Sequence, residues 1–396
     1  MLIKRSLILD SEVRLKKARF IPAQLDRELG DAPLKLTVEQ KQRRYLHVLA
    51  TANDAEGART AVERIIAGND LDSVNYLAKG TAAARPVCRI QLKDASSRLV
   101  GYASGFLIGP GVLMTNHHVF GKASDATNSL ADFDYEVDVN DAERPPVHFR
   151  FLPGQLFYTS VALDYSVVAV APKSVDGAGE LANWGWHHLS GEPGKGDPGE
   201  YLTIIQHPAG EMKQICVREN KLLKYVGDMV WYMTDTLGGS SGSPAFNRFW
   251  QVVALHHSGI PRKDKQGHWL TKDGKVWDES MDESQVDWIA NEGIRISSIV
   301  ADLKLSMGNH PMVKAALSQT PPLPEMSPAR AVDKQPAAGP LGVWVEQAGD
   351  STSLVVPLRI PIGLVRKDLP ASALPASAPD SDRVSKAPAE IGRAHV

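Results

Sequence analysis

The chain has 396 residues, of which 43% are hydrophobic and 23% are charged, and its 44 basic and 46 acidic side chains give a net charge of −2. These values predict a globular protein of two or three domains without the basic excess that favours nucleic acid. The apolar run after Lys4 and Arg5 is only SLIL, shorter than the roughly 7–15 residues of a secretory signal. No apolar run approaches the ~18 residues of a membrane span. Two cysteines, Cys88 and Cys216, fit a reducing compartment as two thiols or one bridge. We expect an intracellular, cytoplasmic protein.

Residues 1–82 are predicted to form a helical N-terminal module. Thr37 and Gln40 have the spacing of a capping box. Apolar residues then recur at helical intervals until Gly68–Asp70, which is typical of a helix end. The module is interpreted as a prodomain or as a docking surface for a partner, and we expect it to fold separately from the rest of the chain.

From Val87 the hydrophobic period changes to two, and short strands follow one another with Gly-, Pro- and Asp-rich connections. This pattern predicts a mostly β domain over 83–303, a barrel or sandwich, closed by a helix that begins at Ser297 or Ser298. Residues 304–396 are predicted to be a Pro/Ala-rich disordered linker and tail. One strand-like piece, SLVVPLRIPIGLV, has no evident partner strand. The final EIGRAHV resembles a translated sequencing adapter, so we expect the natural chain to be longer.

The segment TDTLGGSSGSPAFN, residues 234–247, combines small residues with a strand-like end. It fits either a plain flexible turn or a loop that holds a nucleophilic serine and aims backbone N–H groups at an oxyanion. A nucleophile at Ser241 needs a base and an acid. His118 ends an apolar strand, and Asp164 stands directly before another. The order His, Asp, Ser is that of double-barrel serine proteases.

The segments GFLIGPGVLMTNHHV, DYSVVAV and GGSSGSPAFNRFWQVVALHHSG resemble the trypsin-like peptidases of the chymotrypsin fold, most of all the bacterial V8-type glutamyl endopeptidases. The resemblance implies two six-stranded antiparallel barrels with a site between them. It implies that Ser241 attacks the scissile carbonyl, that His118 is the general base and that Asp164 orients it. The N–H groups of Gly239 and Ser241 would form the oxyanion hole.

Other residues compete for these roles. His117 is expected to pack or to face solvent, and Asp132, Asp134 and Asp138 are weaker candidates for the acid because none precedes a comparable strand. The doublets His187/His188 and His256/His257 do not predict a metal site, because adjacent strand residues point to opposite faces. We expect no metal and no other cofactor.

The resemblance leaves substrate preference and activation open. His256 and Thr236 match the pocket that reads an acidic P1 side chain, whereas Asp235 matches the pocket-floor aspartate of Lys/Arg-specific enzymes. Ser258 and Gly259 complete the predicted substrate-binding set, and an acidic P1 residue is favoured. Ser240 occupies the position of the aspartate that pairs with a freed N-terminus in trypsin-type zymogens. Either the site forms without such an amine, or cleavage near residues 79–85 activates it.

The sequence therefore predicts a serine endopeptidase that cleaves protein or peptide substrates through an acyl-enzyme, with no membrane and no nucleic acid as a partner of this chain. Two alternatives remain open. The chain is a catalytically silent binding module, or it is the peptidase half of a longer protein whose missing C-terminal domain is a DNA/RNA non-specific nuclease.

Overall fold

A computed structural model describes residues 36–49, 73–217, 220–233 and 239–321, the two short strands 344–348 and 351–355, and the single residues Asp10, Val13, Arg14, Leu29 and Val62. The chain divides into two compact units, Met1–Glu325 and Met326–Val396. Within the described ranges, no helix is both long and apolar enough to cross a bilayer.

The larger unit is mostly β and contains two antiparallel sheets of seven strands each, contributed by successive halves of the chain. The strands of the first are β1 Val87–Lys93, β2 Leu99–Gly109, β3 Val112–Thr115, β4 Leu130–Phe133, β5 Val147–Arg150, β6 Phe157–Ser160 and β7 Tyr165–Ala169. Those of the second are β8 Thr203–Gln206, β9 Gln214–Cys216, β10 Leu222–Val226, β11 Met229–Tyr232, β12 Pro244–Phe246, β13 Val252–Pro261 and β14 Trp288–Arg295. The first sheet has the order β5-β4-β1-β2-β3-β7-β6, and the second has the order β10-β11-β14-β13-β12-β8-β9.

The prediction of two closed six-stranded barrels is wrong in strand number and in closure. Each sheet has a seventh strand, and its end strands are not joined by a ladder. Within the described ranges the margins are joined by isolated bridges, Phe151 with Val170 in the first sheet and Tyr201 with Lys221 in the second, and by backbone hydrogen bonds beside them. The short strands β6 and β9 each lie at one end of a sheet and have four and three residues.

Five helices accompany the sheets in the described ranges: α1 Val38–Leu49, α2 Asn75–Ala84, α3 Ala123–Thr127, α4 Ile296–Met307 and α5 Pro311–Ser318. The closing helix α4 begins at Ile296, one residue before the earlier of the two predicted starts. It supplies Ile299, Val300 and Leu303 to the main core, and α5 adds Val313 and Ala316. These two helices therefore belong to the same packed body as the strands.

A second core lies within the first sheet and follows the predicted alternation of β1. Cys88, Ile90 and Leu92 face this core together with a set of aromatic rings. Cys88 is a buried free thiol, and burial raises its pKa far above the usual range. Cys216 is half-buried, forms no disulfide, and its thiol donates to Oδ1 of Asn220 over 3.2 Å. The sequence left open two thiols or one disulfide bridge, and the structure has two thiols.

Helix α1 confirms the predicted capping box. The backbone N–H of Thr37 donates to Oε1 of Gln40 over 2.8 Å, and the N–H of Gln40 donates to Oγ1 of Thr37 over 3.2 Å. Arg44, one turn further on, is completely buried and forms an ion pair with Glu200. Most of residues 1–82 lie outside the described residues, so the extent of the predicted helical module and its separate folding stay predictions.

The smaller unit contains a hairpin of β15 Trp344–Ala348 and β16 Ser351–Val355. Leu354 and Val355, at the start of the strand-like piece that was expected to lack a partner, belong to β16. The first three residues of the piece therefore do have a partner, which the preceding segment supplies. The remainder of the piece lies outside the described residues. The predicted disordered linker, 304–396, begins too early, because residues 304–318 include the end of α4 and all of α5, whose Val313 and Ala316 are buried in the main core. The adapter-like end lies outside the described residues.

Replacing Arg44 by Met is expected to lower the free energy of unfolding by about 3–5 kcal/mol, because it leaves the carboxylate of Glu200 buried without its partner. The matched control is Arg98→Met. Arg98 pairs with Asp94, but its side chain is 79% exposed, so its loss should cost much less than the loss of Arg44. Urea denaturation of the two variants and the wild type measures the difference, and equal costs would contradict the assignment of a buried anchor to Arg44.

Candidate active site

His118 and Asp164 are held together by the pairing of the strands that precede and follow them. Strand β3 ends at Thr115, which lies opposite Ser166 on β7. The turn after β3 and the turn before β7 therefore meet at one edge of the first sheet. There Nδ1 of His118 lies 2.8 Å from Oδ2 of Asp164, and the backbone N–H of His118 donates to Oδ1 over 3.0 Å.

The two turns are locked by the backbone of Asp164. Its φ is +41°, in the left-handed region that few residues other than glycine adopt. Its carbonyl accepts a hydrogen bond from the side-chain amide of Asn116 over 2.9 Å. A strained backbone that persists in this way is over-determined by its surroundings, and here it directs both carboxylate oxygens of Asp164 at His118.

Burial alone would raise the pKa of Asp164, but His118 and His257 hold it well below its usual range. The carboxylate is thus charged although only 4% exposed. Nε2 of His118 faces the other way, and it is buried without a hydrogen-bond partner among the described residues. Because Asp164 engages Nδ1, the ring nitrogen left for proton transfer is Nε2.

The competing residues are engaged elsewhere. Asp132 accepts hydrogen bonds from Arg89 and His148, and Asp134 accepts them from Arg144 and Trp184. Asp138 caps its own loop through the N–H groups of Asn140 and Ala142. His117 is half-buried, with Nδ1 2.7 Å from Oγ1 of Thr159. None of these carboxylates contacts His118.

The loop that carries Ser241 is tied to the same place by its backbone. The carbonyl of Ser241 accepts from the N–H of Ser104 over 2.9 Å, and the N–H of Gly242 donates to the carbonyl of His256 over 3.0 Å. The carbonyl of Ser104 in turn accepts from the hydroxyl of Thr115, the last residue of β3, over 2.8 Å. The side chain of Ser241 is 7% exposed.

Two positions of this loop accept only glycine. Gly239 has φ +97°, and a Cβ there would lie 2.9 Å from the carbonyl oxygen of His207. Gly242 has φ +89°, and its Cβ would lie 2.1 Å from the carbonyl oxygen of Ser104. The glycines thus permit close backbone packing rather than flexibility. Among the described residues, the N–H groups of Gly239 and Ser241 have no acceptor.

The predicted substrate-binding residues are only partly described. Asp235 and Thr236 lie outside the described residues. His256 is 3% exposed, with Nδ1 2.8 Å from the hydroxyl oxygen of Tyr232. Burial, followed by the charges of His257 and His118, lowers the pKa of His256 to about 3. Ser258 donates to the carbonyl of Gly259 over 3.1 Å, and Gly259 lies against the ring of Trp288.

Sequence reasoning missed two residues that contact this site. Nδ1 of His257 lies 2.8 Å from Oδ2 of Asp164, and its Nε2 lies 2.8 Å from Oε1 of Glu292. His257 was considered only as half of a metal-ligand pair with His256, and Glu292 was not considered. A signal was present, because an acidic residue amid the apolar end of β14 requires a buried partner.

Residues 103–255 match the family model described as a trypsin-like peptidase domain. The resemblance carried by the three motifs is confirmed, and with the two sheets it defines a chymotrypsin-like fold. Residues 103–255 are thus similar to the trypsin-like peptidases.

The chain is also similar to individual proteins, which are longer than the matched region or share little sequence identity with it. The uncharacterized protein y4fB of Sinorhizobium fredii is 40% identical over 259 residues, which cover 61% of this chain and 39% of that protein. Glutamyl endopeptidase of Staphylococcus aureus is 23% identical over 201 residues, 50% of this chain and 58% of the enzyme. The chain thus spans well under two thirds of the length of these curated relatives. The solved structure of the protease Rv3671c from M. tuberculosis in its active form aligns with TM-score 0.37 at 15% identity, over 64% of this chain and 89% of that one.

Gly242→Ala is expected to destabilise the loop that carries Ser241, because its Cβ would collide with the backbone at Ser104, a contact that no side-chain movement relieves. Gly227→Ala is the control. Gly227 also has positive φ, at +58°, but open space surrounds its Cβ, so only the conformational cost of about 1–2 kcal/mol applies. Thermal unfolding and labelling of Ser241 by a fluorophosphonate measure both effects. Normal labelling of the Gly242→Ala variant would contradict the proposed loop geometry.

Proposed function

We propose that the chain is a serine endopeptidase in which Ser241 is the nucleophile, His118 the general base and Asp164 the residue that orients it. The observation that carries the proposal is the state of His118. Its Nδ1 is hydrogen bonded to a buried carboxylate, and its Nε2 is buried without a partner among the described residues. An imidazole held in this way is prepared to take a proton at Nε2.

The chemistry follows the two-step course of acyl transfer. Oγ of Ser241 attacks the carbonyl carbon of the peptide bond while its proton passes to Nε2 of His118. The imidazolium then gives that proton to the leaving amine, which departs and leaves an ester on Ser241. Water repeats the sequence and releases the acid. Asp164 stabilises the imidazolium in both steps.

The backbone of the loop supports an oxyanion hole at Gly239 and Ser241. Both N–H groups lack acceptors among the described residues, and the glycine conformation at 239 turns the chain so that neither is consumed by local structure. Donors of this kind each contribute about 3–4 kcal/mol to stabilising a tetrahedral intermediate.

Ser241→Ala is expected to abolish labelling by a fluorophosphonate and to lower kcat by several orders of magnitude, because the attacking oxygen is removed. Ser243→Ala is the matched control, since Ser243 lies in the same loop, is completely buried and has a hydroxyl without a partner among the described residues. Intact-mass spectrometry measures labelling, and peptide hydrolysis measures kcat. Labelling that persists without Ser241 would place the nucleophile elsewhere.

For the substrate we propose an acidic P1 residue read by His256. The pKa of His256 is low, so its ring is neutral at pH 7, and burial raises the pKa of Tyr232 well above its usual range. The tyrosine hydroxyl keeps its proton and donates it to Nδ1 of His256. The remaining proton of the ring is then on Nε2, where it is available to a carboxylate.

His256→Gln is expected to lower the ratio of kcat/KM for P1 Glu over P1 Gln by about tenfold or more, since a hydrogen bond to a charged group contributes about 1.5–3 kcal/mol. Asp235→Ser should keep or improve cleavage after Glu by removing a like charge. Paired peptides that differ only at P1 measure these ratios. A wild-type enzyme that cleaves only after Lys or Arg would overturn the preference and assign the pocket to Asp235.

A further inference from the structure

Behind Asp164, on the side away from His118, a second imidazole bridges two buried carboxylates. Nδ1 of His257 lies 2.8 Å from Asp164 and Nε2 lies 2.8 Å from Glu292. A neutral imidazole has one N–H and would direct a lone pair at one of these oxygens. Glu292 accepts hydrogen bonds from Trp231 and Arg14 and is therefore treated as ionised. With both carboxylates ionised, the two contacts are satisfied together only when both nitrogens carry protons, so the geometry favours an imidazolium.

The surroundings agree with this charge. Burial alone would lower the pKa of His257, but its hydrogen bonds to Asp164 and Glu292 raise it to about 9. Burial would likewise raise the pKa of Glu292, but His257 and Arg14 hold it well below its usual range. The charges alternate from Asp164 through His257 and Glu292 to Arg14, so none of the buried charges lacks an opposite neighbour.

The backbone of β13 explains how His257 reaches this position. Opposite β14, His256 pairs with Gly293 and Ser258 pairs with Glu292, so a bulge leaves His257 without a register partner. A bulge redirects a side chain and sharpens the local bend. On the other side of Glu292, Nε1 of Trp231 donates to the carboxylate over 2.6 Å, which fixes the distal end of the bridge.

We propose that His257 is a positioning residue, held as an imidazolium by Asp164 and Glu292 together, that fixes the carboxylate of Asp164 and offsets part of its charge as seen by His118. The inference rests on the proposed peptidase function of the site and deepens it. Arg14 is the outer end of the chain of charges, and its side chain is 30% exposed. The N-terminal region thereby contributes a residue to the electrostatics of the active site.

The titratable and charged groups that act on this bridge come from several elements. Asp164 precedes β7 and His118 follows β3. Neutral His256 is adjacent on β13, Glu292 lies on β14, and Tyr232 on β11 contacts His256. Arg14 completes the set. Removing the positive charge of His257 makes the potential at His118 more negative and favours its protonation. Removing the negative charge of Glu292 makes the potential at His118 less negative and disfavours its protonation.

The first experiment is the pH profile of kcat/KM for the full chain. His257→Gln should move the acid limb to higher pH, by about one unit for a charge in this environment, and should lower kcat by about a hundredfold with little change in KM. Glu292→Gln should move the limb to lower pH. His187→Gln, a control at another buried histidine, should leave the limb in place. Acid limbs that do not move, or that move in the same direction in His257→Gln and Glu292→Gln, would overturn the proposal. Loss of packing alone would not shift the two limbs in opposite directions.

Arg14 provides a variant that keeps the experiment decisive if His257→Gln does not fold. Because Arg14 is partly exposed, Arg14→Gln should fold and should move the limb to higher pH by less than His257→Gln, while Arg14→Lys restores the wild-type profile. An unchanged profile in Arg14→Gln would remove Arg14 from the proposed chain of charges and contradict the inference.

A measurement without turnover separates this inference from the proposed function. In the Ser241→Ala variant labelled with ¹⁵N-histidine, both ring nitrogens of His257 should show protonation at pH 7. Introducing His257→Gln should shift the Nδ1 proton resonance of His118, which reports its hydrogen bond to Asp164. A neutral His257 at pH 7, or an unperturbed His118 resonance, would overturn the positioning role even if the wild type hydrolyses peptides. A wild type that hydrolyses no peptide would instead refute the proposed function, and the resonances would still test the bridge.

Discussion

The burial of the Asp164 carboxylate is the constraint on which the rest of this site depends. A charged group that is buried loses its hydration and needs hydrogen bonds and opposite charges in its place. Without them, a carboxylate takes up a proton and becomes neutral. The chain meets this demand with the backbone N–H of His118 and with two imidazoles. The left-handed backbone of Asp164 and the hydrogen bond from Asn116 to its carbonyl hold both carboxylate oxygens toward these donors at once.

This demand also unites the two sheets. His118 and Asp164 belong to turns of the first sheet, whereas His257 and Glu292 lie on β13 and β14 of the second. The backbone of the Ser241 loop crosses the same boundary through its hydrogen bond to Ser104 on β2. The geometry of the site is therefore a property of how the sheets pack, and neither sheet contains it alone.

The fold class and the candidate site residues could be predicted from the sequence, whereas the strand number and the long-range contacts could not. The alternation of apolar residues along β1 and the punctuation by glycine and proline revealed a mostly β domain, and local motifs identified His118, Asp164 and Ser241 as candidates. The strand number was wrong because it was taken from the resemblance, and a strand such as β6, with four residues, gives too weak a periodic signal to correct it. The contacts of His257 with Glu292 and of Arg44 with Glu200 join residues 35 and 156 positions apart. Pairing at such separations leaves no local pattern.

The position of β14 in the second sheet has a consequence for how this chain acquires its structure. The strands of the first sheet all lie between Val87 and Ala169, and they are complete in sequence before the second sheet begins. In the second sheet the last strand to be synthesised, β14, stands in the interior between β11 and β13. Such non-local pairing gives the second sheet a high contact order and slow formation. During vectorial synthesis the first sheet can condense on the ribosome, whereas the second must wait, with unpaired edges at β11 and β13, until Arg295 at the end of β14 has emerged.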